Sequence, residues 1–367
     1  MSFQIPRPKN IIDLGVGQPD PELLPSALFQ SLSLNPEHLA YGEQAGDGAF
    51  RRSLARWLSA DYDSQVSEES LMVTNGSSNA LDMICKLFAR RGDTVLVEDP
   101  TYFIALRQFA EHGLNVVAVP MDDEGIQLDQ LEEAIHKHKP AFIYSIPTYH
   151  NPTGICQPLS RREALVQLAR QNKCLLVADE VYQQLYFDQR PPLPLACLDA
   201  NAPVLSIGSF SKILAPGLRL GWIQGAGDLL PLLIQSALVS SGGGLAPVTS
   251  ALVGSLIDSG AFQEYLAGLR TTLRQRMETV HQCLQAELGD KFTVNKPGGG
   301  YFLWATAKDG IDVIDRLPEA KRNGVGFLGG QLFSRSPESV ASMRLCFAWY
   351  GERELELACR RLAGVFL

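Results

Sequence analysis

Apolar and polar positions alternate with two different periods along this chain, and the switches between them mark out its elements. From about 47 to 60, Phe50, Leu54, Trp57 and Leu58 recur with helical spacing behind Asp47, a residue suited to cap the first turn. Short apolar runs follow at 71–74, 94–97, 115–119, 141–146, 174–178, 204–207 and 218–223, each of a length that fits a buried strand. Most are separated by amphipathic stretches, such as the one from Asn79 to Arg90, and Ser160 with Glu163 predicts a capping box on a later helix. Strand and helix in regular alternation predict a mainly parallel sheet covered by helices on both faces. The last two strands are near enough in sequence to form an antiparallel pair.

Beyond Asp228 the helical period dominates, with one long pattern from about 261 to 288. Strand-like pieces at 292–294, 301–304, 325–328 and 343–347, and a last amphipathic helix over about 351–364, then predict an α+β unit. The first 35 or so residues are broken by Pro and Gly, as in Asp13-Leu14-Gly15-Val16-Gly17-Gln18-Pro19-Asp20, and predict an extended arm. The fold class is therefore α/β: a large domain over 36–265 built on a three-layer, mainly parallel sheet, a smaller α+β domain over 266–367, and an arm over 1–35 packing with the smaller domain.

Composition narrows the partner. The 367 residues are 46% hydrophobic and 20% charged, which suits a folded chain with a sizeable core. A net charge of −8 with no Lys/Arg run favours a small-molecule partner over nucleic acid or a membrane surface. Seven scattered cysteines without a C-x-x-C pair read as reduced thiols of a cytoplasmic protein, and six histidines without ligand spacing assign no metal. No stretch reaches membrane-spanning length, and the first residues hold no apolar leader.

The chemistry gathers where strands end. Ser209-Phe210-Ser211-Lys212 and Arg219 lie in an otherwise apolar stretch, where positive charge is costly without an anion beside it. A desolvated lysine condenses with a carbonyl, and Arg219, Ser209 and Ser211 are suited to phosphate oxygens, although the same stretch alone also reads as a surface turn. Gly76-Ser77-Ser78, between a strand and a helix, is either a plain helix cap or a phosphate site. Asp179 ends the apolar strand 174–178, where a carboxylate can keep a pyridinium nitrogen protonated or simply cap a turn; the side chain of Glu180 should point elsewhere. Asn151-Pro152-Thr153-Gly154 is a turn whose amide, with Tyr182, can donate to a phenolic oxygen. Tyr102 either stacks on a planar ring or belongs to the core, and Arg344 either snorkels or grips a carboxylate with its fork. Gly324-x-Gly326-x-x-Gly329 lacks the preceding strand and following helix of a dinucleotide site and is set aside.

Taken together, Thr74–Asp82, Glu98-Asp99-Pro100-Thr101-Tyr102, Asn151-Pro152-Thr153-Gly154, Asp179-Glu180-Val181-Tyr182, Ser209-Phe210-Ser211-Lys212 and Pro297–Phe302 resemble, in order, the motifs of the fold-type I, class I/II aminotransferases that use pyridoxal 5′-phosphate. The resemblance covers nearly the whole chain. Its wording is similar to the 2-aminoadipate aminotransferase-like branch and to the aminotransferase-like domains of MocR-type regulators. It implies Lys212 as the Schiff-base lysine and proton shuttle, Asp179 on the ring nitrogen, Asn151 and Tyr182 on the ring oxygen, and Tyr102 stacked on the ring. It implies Gly76, Ser77, Ser78, Ser209, Ser211 and Arg219 around the phosphate, and Arg344 with Gly17 at the substrate carboxylate. Tyr41 resembles a tyrosine that reaches the phosphate of a neighbouring subunit, which implies a homodimer with shared sites. The implied reaction moves an amino group from an L-amino acid to a 2-oxo acid, with 2-oxoglutarate the expected acceptor. A β C–S lyase on the same scaffold is the alternative, and a MocR-like effector module is the weaker one, since the chain is expected to leave no room for a DNA-reading domain before the arm. His150 stands where the family often has glutamine and puts the pocket wall in question; Gln18, Tyr301 and Phe327 are candidates for the substrate side-chain pocket.

Overall fold

A computed structural model describes residues 7–8, 10–30, 32–225 and 227–367, so the first six residues of the expected arm lie outside the described residues. In chain order the strands are β1 (Ile12–Asp13), β2 (Leu71–Thr74), β3 (Thr94–Asp99), β4 (Asn115–Asp122), β5 (Gly125–Ile126), β6 (Phe142–Ser145), β7 (Leu175–Asp179), β8 (Val204–Ser209) and β9 (Gly221–Gly225). They continue as β10 (Phe292–Val294), β11 (Phe302–Ala307), β12 (Val325–Gly326), β13 (Leu328–Gly329) and β14 (Ser342–Cys346).

Eight strands form one sheet in the order β2-β9-β8-β7-β6-β3-β4-β5. Its centre is parallel, while β9 runs antiparallel to both β8 and β2. The expected antiparallel pair is present, but its second strand starts at Gly221: Pro216–Leu218 make a tight turn and Arg219 adopts a positive φ of 47°, which ends any extension before it. Because β2 and β8 are both antiparallel to β9, the carboxyl ends of β2, β3, β6, β7 and β8 share one edge of the sheet.

Alternation along the central strands fills two cores. Val95, Val97, Phe142, Tyr144 and Val177 face the helices Ser77–Phe88 and Phe103–Glu111, packing with Met83, Ile84 and Phe109. Leu96, Ile143, Leu176 and Ala178 face the other way, toward Leu131, Ile135, Leu165 and Ala169 of Leu128–His138 and Leu159–Gln171. Helix, sheet and helix are thus the three layers that continuous apolar strands require. The helix Gly48–Tyr62 is capped as its sequence predicts, Asp47 accepting the Phe50 amide at 2.7 Å. The capping box at Ser160 is not formed: Leu159–Gln171 begins directly after Pro158, which puts Ser160 inside the first turn instead of before it.

The second sheet, β10-β11-β14-β13, is antiparallel throughout. It packs with the long helix Ala261–Leu288 and the last helix Glu352–Phe366. The piece expected as one strand over 325–328 is split, β12 pairing with β1 of the arm and β13 with β14. β1 and β12 form a separate two-stranded parallel sheet, and the arm is tied to β14 where the Cys346 amide donates to the Leu14 carbonyl at 2.7 Å. Asp20 fixes the far end, receiving Arg7 at 2.6 Å and Arg276 at 2.7 Å.

Candidate active site

A cavity of about 260 Å³ opens at the shared carboxyl edge of the large sheet and is closed by the arm and by β11 and β14. Its lining includes Tyr102, Asn151, Asp179, Tyr182, Lys212 and Arg344, all of them named from the sequence, and Gly17, Gln18, Ser77 and Ser78 complete the circuit. Residues 195 or more positions apart meet here: the Lys212 amine donates to the Gly17 carbonyl at 2.9 Å.

Lys212 lies on the short helix Phe210–Ile213 that follows β8. Burial is the main force on its amine, lowering the pKa from 10.5 to about 8; the Arg344 and Arg219 charges push the same way and Asp179 opposes them. Cys346 also opposes, but only as a thiolate, and burial pushes that thiol up. The Lys212 backbone carbonyl accepts the Tyr301 hydroxyl at 2.8 Å, so Tyr301 supports the lysine's turn.

Asp179 ends β7 with its carboxylate nearly buried. Its Oδ2 accepts the Tyr144 hydroxyl at 2.7 Å, while Oδ1 is buried without a hydrogen-bond partner among the described residues. Desolvation raises its pKa, opposed by the Tyr144 hydroxyl, the Val181 amide and the Lys212 charge. Glu180 points away, accepting the Leu195 amide at 3.1 Å and lying 3.7 Å from buried Arg162, as side-chain alternation at a strand end requires.

Arg344 on β14 is 3% exposed. Its Nη1 donates to Asn151 Oδ1 at 2.8 Å and its Nη2 to the Gly15 carbonyl at 2.7 Å, with the guanidinium carbon 4.0 Å over the Phe302 ring centre. Nε is buried without a partner among the described residues. The approach of the arm needs glycine: a Cβ on Gly17 would stand 3.0 Å from Phe302 and 3.3 Å from the guanidinium.

A second cluster lies beside the lysine. Gly76, at φ 87°, precedes the helix Ser77–Phe88, whose first amides and dipole face this edge. A Cβ on Gly76 would lie 3.0 Å from an Arg219 nitrogen, and Arg219 Nη1 donates to Ser211 Oγ at 3.4 Å. Ser209 is buried and its Oγ accepts the Ser211 amide at 3.2 Å, capping the lysine's helix. Gly208 and Gly221 bring the strands close here, since a Cβ on Gly221 would stand 2.7 Å from the Gly208 carbonyl and 3.0 Å from Gly76 Cα.

Some sequence candidates fall elsewhere. Tyr41 is 87% exposed and is not brought to this cavity within the chain. Phe327 is buried against Phe366, away from the cavity, whereas Gln18 lines it. His150 is not part of the pocket wall: it is buried beneath the Asn151 turn, its Nδ1 2.9 Å from Thr153 Oγ1 and its Nε2 3.2 Å from Glu98 Oε2. Glu98 also accepts the Ser145 hydroxyl, the Ile146 amide at 2.8 Å and Gln157 Nε2 at 3.1 Å, so a buried network holds the segment that carries Asn151. Sequence reasoning missed this network and Tyr144. The signal for Tyr144 was strand parity, since Tyr144 pairs with Val177 and therefore shares a face with Asp179.

The residues fit pyridoxal 5′-phosphate on these observations. The ring nitrogen of that group requires an unsatisfied carboxylate oxygen, its aldehyde an amine of lowered basicity, and its phosphate a helix N-terminus with hydroxyls and a guanidinium; Asp179 Oδ1, Lys212 and the Gly76–Arg219 cluster supply them.

The family model for aminotransferase class I and II matches residues 9–362. The chain is 31% identical to the 2-aminoadipate transaminase of Thermus thermophilus, over 96% of its own length and 89% of the relative's. It is 28% identical to the HTH-type transcriptional regulator YisV of Bacillus subtilis, over 96% of its own length and 73% of that protein. Among solved structures, Pyrococcus horikoshii kynurenine aminotransferase in complex with PMP matches with a TM-score of 0.89 and 30% identity, covering 97% of this chain and 91% of that one.

Proposed function

Because the chain belongs to the class I and II aminotransferases, with their fold-type I architecture and their dependence on pyridoxal phosphate, we propose that it moves an amino group from an L-amino acid to a 2-oxo acid, with Lys212 as the amine that holds the cofactor and 2-oxoglutarate as acceptor. The observation that carries this reading is the convergence of Lys212, the unpartnered Asp179 Oδ1 and the Arg344 fork on one cavity. When bound, the cofactor supplies an electron sink for the bond between the substrate α-carbon and its hydrogen. Lys212, once freed from holding the cofactor, would be the base that takes up and redelivers the substrate α-proton, a role that its lowered pKa suits near neutral pH. Asp179 keeps the ring nitrogen's proton, Tyr102 covers the ring face, and Asn151 Nδ2 and Tyr182 donate to the ring oxygen; Asn151 has that amide to give because its Oδ1 already accepts from Arg344.

Gly76, Ser77, Ser78, Ser211 and Arg219 hold the phosphate, with Ser209 shaping the turn that presents them. Arg344 takes the substrate carboxylate on its fork, and Gly17 lets the arm lie close beside it. The exposure of Tyr41 supports a homodimer in which it completes the partner subunit's phosphate site. The net charge of −8 supports small substrates in preference to nucleic acid, and no described helix is long and apolar enough to cross a membrane; the free cysteines support a reducing, cytoplasmic setting. The strands of the large sheet, all between 71 and 225, and of the second sheet, between 292 and 346, support an arm over 1–35, a large domain over 36–265 and a small one over 266–367.

A panel of L-amino acids offered with 2-oxoglutarate, followed by formation of glutamate, tests the reaction and finds the donor. Purified protein should absorb in the visible and bleach on addition of the right amino acid. Full turnover by Lys212→Ala would overturn the assignment.

A further inference from the structure

Asp179 has two carboxylate oxygens in different situations. Oδ1 is buried with no partner among the described residues, and the residue lines the cavity. Oδ2 is engaged by the Tyr144 hydroxyl at 2.7 Å. Tyr144 is fully buried on β6, in the strand beside β7, and its ring stands edge-on to Phe109 at 5.4 Å. Asp179 is the one partner of that hydroxyl among the described residues, so neither helix face nor solvent competes for it.

A carboxylate at a strand end can rotate about its last bond, since a terminal torsion of this kind is broad, and Tyr144 is the one side chain bonded to Oδ2 among the described residues. The Tyr144 ring is wedged between sheet and helix and cannot follow. We propose that Tyr144 is a positioning residue for Asp179: by occupying Oδ2 it fixes the carboxylate plane and leaves Oδ1 for the protonated ring nitrogen of the cofactor. This rests on the reading of Asp179 given above. The phenol also favours the carboxylate over the carboxylic acid, because it donates and cannot usefully accept there. Holding the anion in a desolvated place requires such a donor, and the backbone around β7 offers Asp179 only the Val181 amide besides.

The test uses the full chain and pyridoxal phosphate itself. Tyr144→Phe keeps the ring and its packing, so the fold is retained and melting of the apo-protein serves as its control. A hydrogen bond to a charged group is worth enough that its loss should weaken cofactor affinity roughly 10-fold, read by quenching of protein fluorescence as pyridoxal phosphate is titrated into apo-protein. In the loaded enzyme kcat should fall while KM for the amino acid stays put, because Arg344 is untouched. Asp179→Asn and the double variant complete a cycle: with the carboxylate gone, Tyr144→Phe should cost nothing further. Unchanged affinity and kcat in Tyr144→Phe, or a full loss that persists in the Asp179→Asn background, overturns the inference while leaving the Asp179 reading intact. An Asp179→Asn protein with wild-type affinity and kcat overturns both.

Discussion

The lowered basicity of Lys212 has a consequence that can be measured on the apo-protein. An ordinary lysine, near pKa 10.5, is free amine in only about one molecule in a thousand at about pH 7.5, whereas a pKa of about 8 makes it about one in four. Capture of the cofactor's aldehyde should therefore be roughly 200-fold more probable per encounter than for a surface lysine at that pH. Mixing apo-protein with pyridoxal phosphate and following absorbance from about pH 6 to 10 should give a rate that rises with pH and levels off with a midpoint near 8. The sign for stability follows from the same shift. Between about 8 and 10.5 the unfolded lysine holds more proton than the folded one, so apo-protein stability rises with pH through that window, by up to roughly 3 kcal/mol from this group. A midpoint near 10.5 would refute the reasoning, because it would mean that the amine is hydrated in the folded chain. So would an equal rate in Lys212→Ala.

Other perturbations separate the site's tasks. Arg344→Lys keeps a charge but loses the fork, and kcat/KM for the amino acid should fall on the order of 100-fold, mostly through KM, with the cofactor's absorbance unchanged in steady-state assays and spectra. Arg219→Ala should weaken binding of pyridoxal phosphate about 10-fold while leaving affinity for pyridoxal, which lacks the phosphate, unaltered in parallel titrations. Asp20→Ala leaves the buried Arg276 guanidinium without its carboxylate, while Arg7 keeps Glu354, and should cost roughly 3 kcal/mol in urea unfolding, with a raised KM if the arm shifts.

What could be read from the chain beforehand divides along physical lines. The central strands were legible because a sheet buried on both faces demands unbroken apolar runs, and the helix Ala261–Leu288 because its period is sustained over 28 residues. The ends of elements were less so: Ser160 and Glu163 have the letters of a capping box, but the helix starts two residues earlier, after Pro158, and letters alone do not fix phase. Lys212, Asp179 and Arg344 were legible as charges that apolar surroundings tolerate only for a reason. Tyr144 and Glu98 were not, because a tyrosine or an acid in a strand advertises nothing until the neighbouring strand's register is known. His150 was noticed for the wrong place, as a wall residue, when burial assigns it to the network under the Asn151 turn.

The arm ties these parts together. Both cations of the cavity lean on its backbone, Lys212 on the Gly17 carbonyl and Arg344 on the Gly15 carbonyl, and neither carbonyl carries a full charge to match. An amino acid's carboxylate is a better partner for the fork than a carbonyl, since it carries a full charge and can accept two parallel N–H bonds at once. If Arg344 takes the substrate carboxylate as proposed, binding competes with the arm for its guanidinium, and the arm would yield at Gly15. Its attachments are arranged for that: β1 pairs with β12 and Asp20 is clamped by Arg7 and Arg276, while Gly15 and Gly17 between them carry no side chain to obstruct a local shift. On that proposal, loosening the anchor of residues 13 to 20 should change substrate affinity even with the guanidinium intact, and a KM unmoved by Asp20→Ala would count against it.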